Sequence, residues 1–146
     1  MSRGLGDVYK RQDVMLTDKP MNEEQLDYIF RLKTGALIEA AFMAGGIIAG
    51  CDENVTKLLE ETGYNIGFAF QIKDDILDVT STQEVLGKPV LSDERNNKTT
   101  YVTLYGMEKA EKDTADMSVK ALETLKTIGH NEYLEDLITM LIHRDR

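Results

Sequence analysis

The stretch "GFAFQIKDDILDVTST", residues 67–82, sets three aspartates into a run that is otherwise mostly apolar. On a helix, Gln71, Asp74, Asp75 and Asp78 fall at i, i+3, i+4 and i+7, so all four share one arc of roughly 100°. The ordinary explanation of an acidic stripe is a solvated face. A surface helix, however, carries a broad polar face, and here Phe68, Ala69, Phe70, Ile72, Ile76, Leu77 and Val79 leave Lys73 as the only other charge in the run. The carboxylates are therefore predicted to look into an interior cavity, where unpaired charge costs several kcal/mol per ion. A hard cation between them relieves that cost. Oxygen ligands with no histidine or thiolate nearby suit Mg²⁺, which takes one or two carboxylates and fills its octahedron with water and phosphate oxygens. The alternating ligands of an EF-hand calcium loop are missing. The pattern thus predicts a phosphorylated partner.

Outward from this stretch, helix-favouring residues at 3.6-residue spacing and only two prolines predict an all-α chain. A first helix is expected after "TDKP", with Asn22 as its cap, Glu23 and Glu24 at its positive end and Gln25 where a capping-box partner stands. It runs through "LKTG", loosens at Gly35 and continues to about Gly50. The next helix starts at Asp52 or Asn54 and spans Gly63 and Gly67, whose flanks keep helical spacing. It is expected to end soon after Asp78, before a polar loop, "STQEVLGKPVLSDERNNK". Three further helices follow, "TTYVTLYG", "MEKAEKDTADMSVKALETLKTIG" and "NEYLEDLITMLIHRDR", with Gly106 and Gly129 as stops. The opening "MSRGLGDVYKRQ", residues 1–12, has neither amphipathic pattern nor helix start and reads as a non-native leader, with a basic disordered arm as the alternative.

The 146 residues suit one domain or a piece of a larger one, and the net charge of −9 argues against gripping nucleic acid through a general positive field. An anionic ligand would need a local cluster of cations. The single Cys51 cannot form an internal disulfide, and with no signal-peptide pattern a cytoplasmic setting is expected. "GALIEAAFMAGGIIAGC", residues 35–51, is short for a membrane span, carries Glu39 and is full of small residues. It is expected to be a buried helix in close contact with neighbours, so stable membrane insertion is not expected.

The ordered set "LKTGALIEAA", "FQIKDDILD", "LGK" and "NNKTTY" resembles the carboxyl-terminal half of the trans-type prenyl diphosphate synthases, the farnesyl and geranylgeranyl diphosphate synthase family, over residues 13–146. The resemblance implies part of a class I isoprenoid synthase helical bundle. It makes Asp74, Asp75 and Asp78 the second Mg²⁺-binding motif, with Gln71 lining the same cavity. Lys33, Lys88 and Lys98 correspond to lysines that hold an allylic diphosphate, Thr34 accompanies the first, and Arg144 and Arg146 of "IHRDR" resemble a basic terminus that closes over isopentenyl diphosphate. The implied chemistry is Mg²⁺-assisted ionisation of the allylic diphosphate and its condensation with isopentenyl diphosphate. Tyr64, Phe68 and Phe70 would line the channel or simply pack the core. The family's first aspartate motif, the arginines that follow it and the amino-terminal Gly-Lys and Arg that hold isopentenyl diphosphate have no counterpart here, so the chain by itself is expected to be inactive. The resemblance implies a homodimer for a full-length parent. A different possibility is a non-catalytic partner subunit that binds Mg²⁺-diphosphate or a complementary synthase chain; a terpenoid cyclase is a third, disfavoured by the "LKTG" and "LGK" pair.

Overall fold

A computed structural model of the chain describes residues 22–86 and 99–142, apart from the side chains of Glu23, Lys33 and residues 81–86. Among these residues there are helices and no strands. Helix α1 (Glu23–Phe30) passes through a π-turn (Arg31–Gly35) into α2 (Ala36–Ile48). Then come α3 (Glu53–Leu86), α4 (Tyr101–Tyr105), α5 (Met107–Ile128) and α6 (Glu132–Ile142). No helix among the described residues is long and apolar enough to cross a membrane. Residues 1–21, 87–98 and 143–146, where the expected leader, most of the expected polar loop and the basic terminus fall, lie outside the described residues.

The helix starts follow the local chemistry. Asn22 accepts from the Gln25 amide at 2.9 Å while the Gln25 side chain accepts from the Asn22 amide at 3.1 Å, completing the expected capping box. Asp52 caps α3 by accepting from Val55 N–H at 2.9 Å, and Asn131 does the same for Leu134 at 3.1 Å. The stops at Gly106 and Gly129 are as expected. Gly106 adopts φ +85°, a left-handed conformation that costs glycine little. One boundary differs. Helix α3 runs on to Leu86 because nothing between Thr80 and Leu86 breaks a helix; the polar composition of "STQEVL" is a poor stop signal, and the first breaker is Gly87. The aspartates therefore sit about two turns inside the helix, not at its end.

Helix α3 is the spine. Helix α2 doubles back along it, and α5 and α6 also pack against it. The α2–α3 crossing is close because glycines line it: a Cβ on Gly67 would lie 2.5 Å from Gly35 Cα, and one on Gly63 would lie 2.7 Å from Glu39 Cα. This explains two glycines inside a helix where each costs about 1 kcal/mol of propensity. Two apolar clusters hold the layers together. Leu26, Phe30, Phe68, Ile72, Ile76 and Tyr101 form one, and Ile66, Ala69, Ala121, Leu125, Ile138 and Ile142 the other. Each large side chain so buried stabilises by about 1.5–3 kcal/mol relative to exposure. Helix α2 is only partly the buried helix expected. Its inner side meets α3, but Leu37, Ile47 and Ile48 are 73%, 61% and 86% exposed.

Candidate functional site

The π-turn carries the Lys-Thr pair. A π-turn inserts an extra residue into a helix and re-aims its side chains, which is why such turns gather at functional positions. Here Ala36 N–H donates to the Arg31 carbonyl, the i→i−5 bond of the turn. Thr34 then faces α3, where the Gln71 amide Nε2 donates to Thr34 Oγ1 at 2.5 Å. Because Oγ1 accepts that bond, the threonine's own O–H can donate to a ligand oxygen. Gln71 is 6% exposed, so the bond is shielded from competing water. Gln71 lies one turn before Asp74 and Asp75, so this single contact joins the Lys-Thr turn to the acidic stripe.

The three aspartates do not share one environment. Asp74 and Asp75 are half-buried and Asp78 is exposed. The stripe thus lies at the rim of the helical layer among the described residues, and the expected interior cavity around it is not met at Asp78. Asp75 Oδ2 accepts from the backbone N–H of Tyr101 at 2.7 Å. A carboxylate at the first amide of α4 satisfies an orphan donor and meets the positive end of that short helix. Asp75 therefore ties α4 to α3.

Earlier along α3, Tyr64 and Phe68 line a 420 Å³ cavity with Asp27, Tyr101, Tyr105 and Lys109 on its walls. The rings are packed on one another as well: Phe30 meets Phe68 edge-on at 5.5 Å between centroids, and Tyr101 meets Tyr105 at 4.6 Å. Core packing and cavity lining are both roles of Tyr64 and Phe68. Sequence reading missed the polar group beside them. Tyr101 O–H donates to Asp113 Oδ2 at 2.5 Å, and Lys109 Nζ reaches the same oxygen at 2.6 Å. Burial and the bond to Asp113 hold the Tyr101 phenol well above its usual range. Burial pushes the Asp113 carboxyl up, but the Lys109 and Tyr101 hydrogen bonds outweigh it and leave Asp113 below the usual carboxylate range. The one signal of this group in the sequence is the i to i+4 spacing of Lys109 and Asp113.

Of the residues singled out from sequence, the structure thus brings Thr34 and Gln71 into contact, with Asp74 and Asp75 one turn further along α3. Lys33 is in the π-turn by its backbone, with its side chain outside the described residues; Lys88, Lys98, Arg144 and Arg146 are also outside them. The donor set bears on metal type. Among the described residues no three histidine, cysteine or acidic side chains are grouped so that they alone could hold an ion. Carboxylate oxygens without a closed protein cage fit Mg²⁺, which relies on water and phosphate for the rest of its shell, better than they fit zinc or calcium.

Comparison with known proteins places this helical layer in a family. The polyprenyl synthetase family model matches residues 4–139, and the chain belongs to that family. It is 38% identical over 143 residues to the farnesyl diphosphate synthase of Micrococcus luteus, covering 97% of this chain and 49% of that protein. It is 36% identical over 144 residues to the geranylfarnesyl diphosphate synthase of Aeropyrum pernix, covering 90% and 45%. The fold matches the crystal structure of heptaprenyl diphosphate synthase from Staphylococcus aureus with a TM-score of 0.82 at 20% identity, over 97% of this chain and 57% of that one. It also matches a geranyltransferase from Helicobacter pylori complexed with magnesium and isoprenyl diphosphate, with a TM-score of 0.70 at 29% identity, over 94% and 45%. The chain spans about half the length of the curated relatives it matches.

Proposed function

We propose that this chain supplies the second-aspartate-motif half of a prenyltransferase site, one that condenses an allylic diphosphate with isopentenyl diphosphate. The observation that carries this reading is the Gln71 to Thr34 hydrogen bond, which couples the Lys-Thr turn to the acidic helix face. The names of the curated relatives, and the magnesium and isoprenyl diphosphate complexed with the Helicobacter pylori geranyltransferase, support the substrate class.

In this reading Asp74, Asp75 and Asp78 would hold Mg²⁺, and Asp75 also holds α4 through the Tyr101 amide. Bound Mg²⁺ would supply charge stabilisation to a departing diphosphate. Thr34 donates its O–H to a diphosphate oxygen and is kept in that orientation by Gln71. Lys33, Lys88 and Lys98 add point charges from other directions, and Arg144 and Arg146 cover the isopentenyl diphosphate. Tyr64 and Phe68 offer an apolar wall to the prenyl tail. Lacking a first aspartate motif, the chain alone gives no turnover.

Isothermal titration with Mg²⁺ and farnesyl diphosphate tests this reading. The wild-type chain should bind with heat that depends on Mg²⁺, and Asp74→Ala should lose at least tenfold in affinity, about 1.4 kcal/mol. Equal binding by the two proteins would refute the metal role. Equal binding by wild type and Lys88→Ala would refute the lysine assignment.

A further inference from the structure

Among the described residues, Glu39 has a side-chain oxygen that is buried and lacks a hydrogen-bond partner. The residue is 8% exposed, and the oxygen is Oε1. Nothing in the proposed diphosphate site uses it. Its place in the fold is particular. It stands one turn beyond the π-turn, its backbone pressed against Gly63 of α3, with Oε1 turned back to within 3.8 Å of where a Cβ on Gly35 would stand. Gly35 closes the π-turn.

The charged and titratable groups around Glu39 come from two directions. Arg31 comes from the start of the π-turn, and Lys57, Glu60, Glu61 and Tyr64 from α3; together with Glu39 they line a 310 Å³ cavity. Two of these are paired elsewhere, Lys57 with Glu53 at 2.8 Å and Glu61 with Lys120 at 2.9 Å. Arg31 lies over the Tyr64 ring, 5.7 Å from its centroid, instead of on Glu39. Burial raises the Glu39 carboxyl above its usual range; Arg31 pulls it down and Glu60 pushes it up. A buried carboxylate oxygen with no partner is costly, so this crossing favours the neutral acid more than water does.

We propose that Glu39 is a positioning residue for Thr34: in its neutral form, wedged at the α2–α3 crossing, it leaves Arg31 on the Tyr64 ring and so preserves the π-turn that sets Thr34 against Gln71. An ionised Glu39 draws the Arg31 guanidinium off Tyr64 and onto itself. Because Arg31 begins the turn and Gly35 ends it, that exchange loosens the turn at both ends. The consequence for diphosphate binding rests on the proposed function; the consequence for the backbone does not.

The test is hydrogen exchange of the amides of residues 31–36 in the full chain from pH 4 to pH 8, expressed as protection factors so that intrinsic exchange is removed. Burial favours the neutral form more in the folded protein than in water, so protection is greatest at low pH and is lost as Glu39 ionises. In wild type it should fall by about threefold or more, the range of a local opening. In Glu39→Gln, which keeps the shape without the charge, it should stay level, and residues 53–60 should behave alike in both proteins. A level wild-type profile, or the same fall in Glu39→Gln, overturns the proposal. A second arm compares the affinity of the two proteins for Mg²⁺ with inorganic diphosphate. Their ratio cancels the ligand's own titration, and it should move towards Glu39→Gln as pH rises; a constant ratio counts against Glu39. If neither protein binds diphosphate at any pH, the proposed function fails, while the exchange arm still decides the role of Glu39.

Discussion

Replacing Gly67 by alanine should push the two site-bearing helices apart. The new Cβ would stand 2.5 Å from Gly35 Cα, 3.3 Å from its nitrogen and 3.5 Å from its carbonyl carbon, where ordinary contact begins near 3.4 Å. All three neighbours are backbone, so no side chain can turn away; the helices must part by about 1 Å, a strain of the kind that costs roughly 1–3 kcal/mol. Alanine recovers about 1 kcal/mol of helix propensity. The net expectation is a loss of up to about 2 kcal/mol. Gly45→Ala is the control, since it lies inside α2 with nothing within 4 Å of its Cβ position and should stabilise by about 0.5–1 kcal/mol. Urea unfolding followed by circular dichroism reads both. With slopes of roughly 1–3 kcal/mol per molar for small domains, the two midpoints should move in opposite directions by a few tenths of a molar or more. The separation also lengthens the 2.5 Å bond between Gln71 and Thr34, so Mg²⁺-diphosphate affinity should fall in Gly67→Ala and not in Gly45→Ala. If both alanines stabilise equally, close helix approach is not what these glycines serve.

Asp75→Ala should lower stability by about 1 kcal/mol, the usual worth of a helix cap, because the Tyr101 amide loses its acceptor; thermal unfolding measures it. Tyr101→Phe leaves Asp113 with Lys109 alone and should cost about 1–2 kcal/mol at neutral pH. Asp113 is held below the ordinary aspartate value of 3.8, so its contribution is present above that pH and is lost as pH falls through the folded value. The difference in urea midpoint between pH 7 and pH 3 should therefore shrink in Tyr101→Phe; an unchanged difference would mean Asp113 is not the acid-sensitive group. Ile48 is 86% exposed, so Ile48→Lys should leave stability within about 0.5 kcal/mol of wild type while reducing concentration-dependent association in light scattering.

What the sequence made legible was whatever is decided within a turn or two of chain. The Asn22 capping box, the Asp52 start, the Gly106 and Gly129 stops and the helical continuity through Gly63 and Gly67 are local, and each is found. The overrun of α3 to Leu86 shows the limit of composition as a guide: polar residues do not end a helix unless something breaks it. The loosening expected at Gly35 is a π-turn, whose extra residue no periodicity announces.

The site divides along the same line. Asp74 and Asp75 are equivalent to any count of spacing, yet Asp75 accepts an amide 26 residues away, a bond that only the packing of α4 on α3 reveals. Glu39 is the converse case. In sequence it is a single charge that helps to disqualify a membrane span; in the fold it is a carboxyl group that two glycines have drawn into a crossing where its Oε1 meets no partner. A hydrophobic residue there would have satisfied the packing without the desolvation cost. What needs explaining is therefore the carboxyl itself, and its distinctive neighbours are the two ends of the turn that presents Thr34. Function becomes legible where a residue violates the local rule that its neighbours obey, and such a violation shows itself only once the helices are placed against each other.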